Sequence, residues 1–360
     1  MAEPSELLRS LAALFWAWVP PAALQGAVVL LAAGLVDRLL PRRAAPELRE
    51  AVWGLALAKL LLPPTLASPL ALAPLLLPSL AVAAPAPFGA DPARWAVPAV
   101  ALWALGAVLF LGRWVVLARR ARHELARRRR PAAAADLAAL AVAVRRSGLK
   151  RHPLLHRLPG GGSPFAMGAF RPEIYLPEAV TGAELEHVLL HELAHVARRD
   201  GLRQAAARFL HALFWFHPLL PWARRRLAAA AEAACDRRVA QSLGSEAPGY
   251  RTTLLAFYAR AAAVPAGVPF LAPPTALRLR LEAIAGAGTP PSTLRRLAAT
   301  VLVALLAATL LPMAAAAERR SLEIAELITR PPGCLQLRYL VLQRLAQDAS
   351  AAPVATEPER

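Results

Sequence analysis

The stretch Trp95-Ala-Val-Pro-Ala-Val-Ala-Leu-Trp-Ala-Leu-Gly-Ala-Val-Leu-Phe-Leu-Gly112 carries no charged residue. At about 1.5 Å per residue, a helix of this length can cross a bilayer core of about 30 Å. Ser10–Val36 and Leu297–Ala317 are uncharged in the same way, and a fourth candidate runs from about Val52 to Ala73 despite Lys59 and several prolines. The sequence therefore predicts a mainly α, polytopic membrane protein with about four transmembrane helices.

The first apolar block also admits another interpretation. A secretory signal peptide begins with a basic residue before an apolar stretch, and Arg9 precedes this one. The block is, however, about twice as long as the usual apolar region of a signal peptide. We therefore predict a membrane span that stays in the protein.

The basic residues predict how the chain crosses the membrane. A net charge of +18 would suggest nucleic-acid binding if it formed one patch on a soluble fold. Instead, arginines follow the first span at Arg38–Arg49 and the third at Arg119–Arg130, whereas the segment between spans two and three holds only Arg94. The positive-inside rule then puts the N-terminus outside, residues 113–296 in the cytoplasm and the tail after Ala317 outside. We expect contact with a lipid bilayer and no direct nucleic-acid binding.

Five parts follow from this topology. The soluble part is about 140 residues long, which is enough to bury its own core. The cysteines Cys235 and Cys334 fall on opposite sides of the membrane, so no disulfide is expected. The parts are an N-terminal membrane module with three spans (1–118), a basic connector (119–148), the soluble domain (149–287), a linker with the fourth span (288–317) and a short extracytoplasmic tail (318–360).

Local patterns inside the soluble domain predict strands and then a helix. Residues 163–177 have the pattern of two short strands around a turn that contains Gly168 and Pro172. Such a hairpin could hold an extended peptide by strand addition, or it could simply be the wall of a small sheet. Thr181-Gly-Ala-Glu184 has the form of a capping box, and the helix that it starts runs into His191-Glu-Leu-Ala-His195.

That helix carries the candidate chemistry. His191 and His195 are four residues apart, so both imidazoles project from one face and can bind one zinc ion, Zn2+. Glu192 beside them can act as general base towards a water that the metal acidifies, and later as the acid that protonates the leaving amine. Glu232, on a later predicted helix, is the best candidate for the third ligand, and Asp236 lies one turn further on the same face. Asp236 can therefore reach the second ring nitrogen of a ligand histidine, unless the acidic pair is only a solvated surface.

Other polar residues nearby are expected to be structural. The apolar stretch 201–222 is predicted as a buried or interfacial helix, and a further helix is predicted from about Ala223 to Leu243. We expect Cys235 to be a small buried side chain. Asp200 is expected to pair with Arg198 or Arg199 rather than to orient His195. His211 and His217 are expected to make local hydrogen bonds.

Several short motifs occur together in this chain, in the same order as in one known family. Together with the layout of three spans, a cytoplasmic peptidase domain and a fourth span, over about residues 5–317, they resemble the BlaR/MecR-type antirepressor family of membrane zinc metallopeptidases. The matching stretches are Ser163-Pro-Phe with Gly168, Pro172-Glu-Ile-Tyr-Leu-Pro177, His191-Glu-Leu-Ala-His195 with Arg198-Arg-Asp200, Phe214-Trp-Phe-His-Pro218 and Glu232-Ala-Ala-Cys-Asp236.

The resemblance implies an α+β zincin-like metallopeptidase domain inserted into a multi-pass protein of the bacterial cytoplasmic membrane. Once signalled, such a peptidase cuts itself or a cytoplasmic transcriptional repressor of the BlaI/MecI type. Sensor members of the family carry a large extracellular penicillin-binding domain after the last span, whereas only Glu318–Arg360 follow it here. Antibiotic sensing by this chain is therefore in doubt, the sequence does not identify the input signal, and a separate protein is one candidate source.

Two other functions remain open from the sequence. A membrane quality-control zinc peptidase of the HtpX or CAAX-prenyl-protease type also combines this histidine motif with a later glutamate. A non-catalytic membrane transducer could use zinc only to hold its domain together, although a structural site is normally closed by a fourth protein ligand. If the chain cleaves itself, the Arg295–Arg296 pair after Pro290-Pro291 is a candidate site; the pair is otherwise a membrane-flanking anchor.

Overall fold

The computed structural model describes residues 4–41, 44–64, 92–150, 152–160, 162–168, 170–262, 274–288 and 293–310. This part of the chain is mainly helical, as the sequence predicts, and contains one small sheet. A 3-10 turn at Gly244–Glu246 joins the seventh helix to the eighth. The helices are α1 (Pro4–Leu39), α2 (Pro46–Lys59), α3 (Pro92–Arg128), α4 (Ala134–Ser147), α5 (Ala183–Ala197), α6 (Asp200–Leu213), α7 (Leu220–Leu243), α8 (Ala247–Ala262), α9 (Pro274–Ala285) and α10 (Thr293–Leu310).

The sheet contains the hairpin that the sequence predicts. Its strands are β1 (Arg130–Pro131), β2 (Leu154–Leu158), β3 (Phe165–Met167) and β4 (Glu173–Pro177), in the spatial order β1-β2-β4-β3. The strands β3 and β4 are antiparallel, whereas β2 and β4 are parallel. The turn between β3 and β4 needs Gly168, because its φ is +103° and a Cβ there would lie 2.2 Å from a backbone carbonyl oxygen.

Among the residues that the structure describes, two helices are long and apolar enough to cross a membrane, namely α1 over Leu14–Leu39 and α3 over Val97–Arg128. They correspond to the first and third predicted spans. In the most apolar window of α3 no residue is buried, although some, such as Trp103, are half-buried, so much of this helix faces the surroundings. The second and fourth spans stay predictions, because α2 has 14 residues and residues 65–91 and 311–360 lie outside the described part.

Two apolar clusters hold the described helices together. One lies under the sheet and is built from α4, α5, α7, α8 and α9, with Leu189 and Leu193 of α5 fully buried at its centre. The other joins α1 and α2 to α6 and α7, with Leu30, Trp53 and Leu220 fully buried. The predicted peptidase domain therefore shares its second core with the membrane module.

The stretch 201–222 is not the single helix that we expected. It is broken at residues 214–219 into α6 and α7, which form a helical hairpin. Trp215 at its tip donates a hydrogen bond from Nε1 to the Trp103 carbonyl at 3.2 Å, and Trp103 Nε1 donates to the Leu213 carbonyl at 2.7 Å. His217 Nε2 donates to the Ala23 carbonyl of α1 at 3.1 Å. The break is stabilised by these bonds to α1 and α3, which no local pattern reveals.

The two histidines of this hairpin have hydrogen-bond partners, as expected. The Leu219 N–H donates to His217 Nδ1 at 3.3 Å, and Arg224 donates to His211 Nδ1 at 2.7 Å. Burial lowers the pKa of His211, and the positive charge of Arg224 lowers it further. His211 is therefore a neutral acceptor in this contact.

The predicted capping box at the start of α5 is wrong. The N-cap residue is Gly182, whose φ is +60°, and it makes no side-chain cap hydrogen bond. Thr181 therefore lies one residue too early to cap the helix. The Glu184 carboxylate instead accepts two hydrogen bonds of 3.0 Å from Arg260 on α8.

Candidate metal centre

Three side chains from α5 and α7 point their donor atoms at one another. The Nε2 atoms of His191 and His195 are 3.2 Å apart. Glu232 on α7 places Oε2 3.4 Å from His191 Nε2 and Oε1 3.4 Å from His195 Nε2. The Glu232 side chain is 36% exposed, so this group of donor atoms opens towards the surface.

The size of this triangle fits a zinc ion. Two ligand atoms at about 2.0–2.1 Å from a tetrahedral zinc are about 3.3 Å apart, and the three measured edges are 3.2, 3.4 and 3.4 Å. Two imidazoles and one carboxylate are also a donor set that catalytic zinc sites use, with the fourth position left open. The residues present therefore fit zinc in both spacing and chemistry.

The other ring nitrogen of His191 is held by buried partners. His191 Nδ1 lies 2.9 Å from the Tyr250 hydroxyl and 3.1 Å from Asp236 Oδ1. The Tyr250 hydroxyl itself donates to Asp236 Oδ1 at 2.5 Å, and Asp236 is fully buried. With a proton on Nδ1, the Nε2 lone pair of His191 faces the other donor atoms. Asp236 thus makes the contact that its position on the helix suggested.

Asp200 orients the second histidine, which corrects our preference for an ion pair alone. Its Oδ2 accepts a hydrogen bond of 2.7 Å from His195 Nδ1. It also pairs with Arg198 at 3.4 Å and with Arg203 at 2.5 Å, but Arg199 is not among its partners in the described structure. Arg199 links α5 to α6 with a φ of 55°, and this left-handed link turns the chain so that Asp200 faces back to His195.

Glu192 is buried beside this triangle, with 4% of its surface exposed. Burial raises the pKa of its carboxyl, whereas positive charge on the neighbouring imidazoles lowers it. The backbone N–H of Ala166 in β3 faces the carboxylate and also lowers its pKa. Glu192 therefore lies between the histidine pair and the last strand of the sheet.

Arg280 on α9 is a functional residue that sequence reasoning missed. It donates from Nε and NH2 to the Asp236 carboxylate at 2.5 and 2.9 Å, and its NH1 lies 3.3 Å from Glu232 Oε2. Its charge keeps both carboxylates ionised against the effect of burial. Burial alone would raise the pKa of Glu232, but the hydrogen bond with His191 and the charge of Arg280 lower it to about 2. In the sequence, Arg280 is one of three charged residues on this helix, with Arg278 and Glu282, and no local pattern distinguishes it.

The carboxylates in turn favour a positive charge between them. Burial opposes protonation of His191, yet its hydrogen bonds to Asp236 and Glu232 raise its pKa to about 10. The field that stabilises an imidazolium here also suits a divalent cation coordinated by Nε2. The electrostatics therefore support the same conclusion as the spacing of the donor atoms.

Cys235 is a free, fully buried thiol, as expected of a small core residue. Its Sγ lies 3.3 Å from His195 Nδ1 and 3.4 Å from Asp200 Oδ2, so these three side chains also come close enough to share an ion. Burial raises the pKa of the thiol. Since His195 Nδ1 already bonds to Asp200, the triangle with Glu232 is the better candidate.

The sequence of this chain is similar to one known protein family and to several curated proteins. The family described as BlaR1 peptidase M56 matches residues 18–284, which is most of the chain. The chain is 34% identical over 93 residues to the regulatory protein BlaR1 of Bacillus licheniformis, which covers 25% of this chain and 16% of that protein. It is 29% identical over 98 residues to the methicillin resistance mecR1 proteins of Staphylococcus aureus and Staphylococcus epidermidis, which covers 26% of this chain and 17% of each.

The matched segment spans about a sixth of the length of these curated relatives. The family match is much longer and includes α5, α6 and α7 with all three candidate ligands. It thus covers the donor triangle, the residues that orient it and the first and third apolar helices. On this evidence the chain belongs to the BlaR1 peptidase M56 family of metallopeptidases.

Proposed function

We propose that this protein is an integral-membrane zinc metalloendopeptidase whose metal ligands are His191, His195 and Glu232. The observation that carries the proposal is the donor triangle with edges of 3.2 to 3.4 Å, the size that tetrahedral zinc requires. The hydrogen bonds at both Nδ1 atoms support it, because they leave the Nε2 lone pairs free for a metal.

Glu192 is the proposed general base. A zinc ion at the triangle would supply the positive charge that acidifies a water molecule and polarises the scissile carbonyl. The Glu192 carboxylate takes the proton from the attacking water and returns it to the leaving amine nitrogen. Burial raises the pKa of Glu192, which brings its proton affinity closer to neutral pH and suits a group that must both accept and donate.

The strand β3 is the proposed substrate-binding strand. It is the terminal strand of the described sheet on the β4 side, and its Ala166 N–H faces the Glu192 carboxylate and lowers the pKa of that group. A peptide that adds to the free edge of β3 would lie extended, with its backbone paired to the strand and one carbonyl beside the base. An extended, unfolded segment of a protein is therefore the proposed class of substrate.

The membrane arrangement is also a proposal. We infer four spans, with the peptidase part in the cytoplasm and both termini outside, because arginines flank the first and third spans on one side. No residue in the most apolar window of α3 is buried in the protein, and this exposed apolar surface supports contact with lipid. The curated relatives are named as a regulatory protein and as methicillin resistance proteins, so we propose a cytoplasmic repressor of the BlaI/MecI type as substrate, or the chain itself.

The test is Glu192→Gln in the full chain, purified in detergent. Wild type and variant are incubated with a peptide pool made from a bacterial proteome, and new termini are counted by mass spectrometry. We expect cleavage to fall by about 100-fold or more, the usual contribution of a general base, while zinc content stays near that of the wild type. The matched control is Glu184→Gln on the same helix, which should cleave normally.

Two results would contradict the proposal. Unchanged cleavage by Glu192→Gln would remove the general base. Retention of zinc by Glu232→Gln with wild-type affinity would remove the third ligand, and with it the donor triangle.

A further inference from the structure

Glu50 connects the membrane module to the peptidase part by charge. It lies on α2, and only 8% of its surface is exposed. Its Oε2 accepts a hydrogen bond from Arg198 NH2, and its Oε1 pairs with Arg203 NH1. The two arginines belong to the link after α5 and to α6. A single carboxylate therefore contacts both elements on either side of the left-handed turn at Arg199.

The same two arginines hold Asp200. Arg203 NH2 donates to Asp200 Oδ1 at 2.5 Å, and Arg198 Nε lies 3.4 Å from Oδ2. Arg203 also donates to the carbonyl oxygen of Arg198 at 3.0 Å, which ties α6 to the end of α5. The side chains thus form a charge-neutral square in which each guanidinium contacts both carboxylates. Its members are Glu50, Asp200, Arg198 and Arg203.

Asp200 is the corner of this square that touches the donor triangle. It is 3% exposed, and its Oδ2 accepts from His195 Nδ1 at 2.7 Å. A carboxylate in this place fixes the orientation of the imidazole and increases its basicity as a ligand. The position of Asp200 therefore decides how well His195 Nε2 meets the other two donor atoms.

We propose that Glu50 is a positioning residue for the metal centre, acting through Arg198 and Arg203 on Asp200 and thereby on His195. This inference rests on the proposed metal site. Without Glu50, the two guanidinium groups share the one remaining carboxylate, with Arg203 at Oδ1 and Arg198 at Oδ2, the oxygen that accepts from His195. Because the side chains of Glu50, Asp200 and Arg198 are largely buried, solvent reaches the site of the lost charge only on the Arg203 side.

Through Glu50, the membrane module can change the geometry of the metal ligands. The helix α2 also packs along α7, which carries Glu232, and Trp53, one turn after Glu50, packs against Trp222 of α7 with ring centroids 4.8 Å apart. A displacement of α2 therefore changes the partners of Asp200 and the support of Glu232 at the same time. Signals that move the spans can reach the metal ligands by this route.

The test uses the full chain in detergent and measures metal binding rather than proteolysis. Zinc affinity is determined by competition with a chromogenic chelator, and the visible absorption of the Co2+ form reports the geometry of the ligands. We expect Glu50→Gln to weaken zinc binding about 10-fold, the lower end of the range for outer-shell partners, and to shift the Co2+ bands.

The matched control is Glu47→Gln. Glu47 lies one turn earlier on α2 and pairs with Arg237 of α7 at 3.2 Å, but it does not touch the square. It should leave affinity and spectrum unchanged. The second test variant is Arg203→Met, which removes the contacts with both Glu50 and Asp200 at a side chain that is 43% exposed, and it should reproduce the effect of Glu50→Gln.

The outcomes separate the two proposals. Wild-type affinity and spectrum in folded Glu50→Gln would overturn the role of Glu50 alone. Equal zinc affinity in wild type and His195→Ala, or no zinc uptake by the wild type, would overturn the metal site and the role of Glu50 together. If Glu50→Gln does not accumulate as folded protein, wild-type affinity and spectrum in Arg203→Met would overturn the route from Glu50 to Asp200.

Discussion

Replacement of Arg280 by methionine tests how the carboxylates at the metal centre are stabilised. Methionine keeps the unbranched apolar stem of arginine but lacks the guanidinium group, so it cannot donate a hydrogen bond. The change removes two charge-assisted bonds of 2.5 and 2.9 Å to Asp236, and the 3.3 Å contact with Glu232. Asp236 is fully buried, so water cannot take the place of the guanidinium.

The expected cost follows from what remains around Asp236. Breaking a buried ion pair by removing one partner costs about 3–5 kcal/mol, because an uncompensated charge is left inside. The Tyr250 hydroxyl still donates to Asp236 at 2.5 Å, so we expect the lower end, about 3 kcal/mol. At about 2–4 °C per kcal/mol, this lowers the unfolding temperature by about 6–12 °C.

Thermal unfolding of the full chain in detergent measures this effect, with a chelator present so that metal binding does not contribute. The control is Arg278→Met on the same helix, which removes an exposed pair with Glu282 worth less than about 1 kcal/mol. Adding Asp236→Asn to Arg280→Met should recover part of the loss, because the orphaned charge is gone. Equal unfolding temperatures for the Arg278 and Arg280 variants would refute the reasoning.

Two further predictions concern packing and pH. Gly106→Val should destabilise the protein by about 1–3 kcal/mol, because a Cβ there would lie 2.2 Å from the Trp215 ring. The control is Gly112→Val on the same helix, where a Cβ would meet nothing within 4 Å. Thermal unfolding of the two variants measures the difference. The hydrogen bond from Arg157 lowers the pKa of Asp136, so their pairing adds stability above the unfolded pKa of about 3.9 and loses it as pH falls through the lower folded value. Asp136→Asn should therefore flatten the acid side of the stability curve, and a variant that keeps the wild-type curve would contradict this.

The parts of the fold that the sequence predicted are those governed by short-range patterns. The helix that carries His191 and His195 has its apolar residues at helical spacing, and the β3–β4 hairpin has its turn residue at Gly168. The helix α7 begins at Leu220, three residues before the predicted start, because Pro221 is tolerated in its first turn. Glu232 and Asp236 then share one face by helical geometry alone.

The contacts that orient the metal centre could not be predicted in this way. Tyr250 is 59 positions from His191, Arg280 is 44 from Asp236, and Glu50 is 148 from Arg198. The chain holds 42 lysine and arginine residues, and nothing local distinguishes those that pair with a buried carboxylate. The capping box failed for a related reason, since the conformation of Gly182 rather than the side chain of Thr181 starts the helix.

The apolar cluster between α1, α2, α6 and α7 has a practical consequence for any attempt to isolate the catalytic portion. This cluster contains Leu210, Phe214 and Leu220 together with Leu30 and Trp53, which come from the N-terminal part of the chain. A fragment that starts at Leu149 would turn this face towards water and would aggregate or require detergent even without a membrane span. Enzymology and inhibitor screening therefore need a preparation in which the first two helices are still attached.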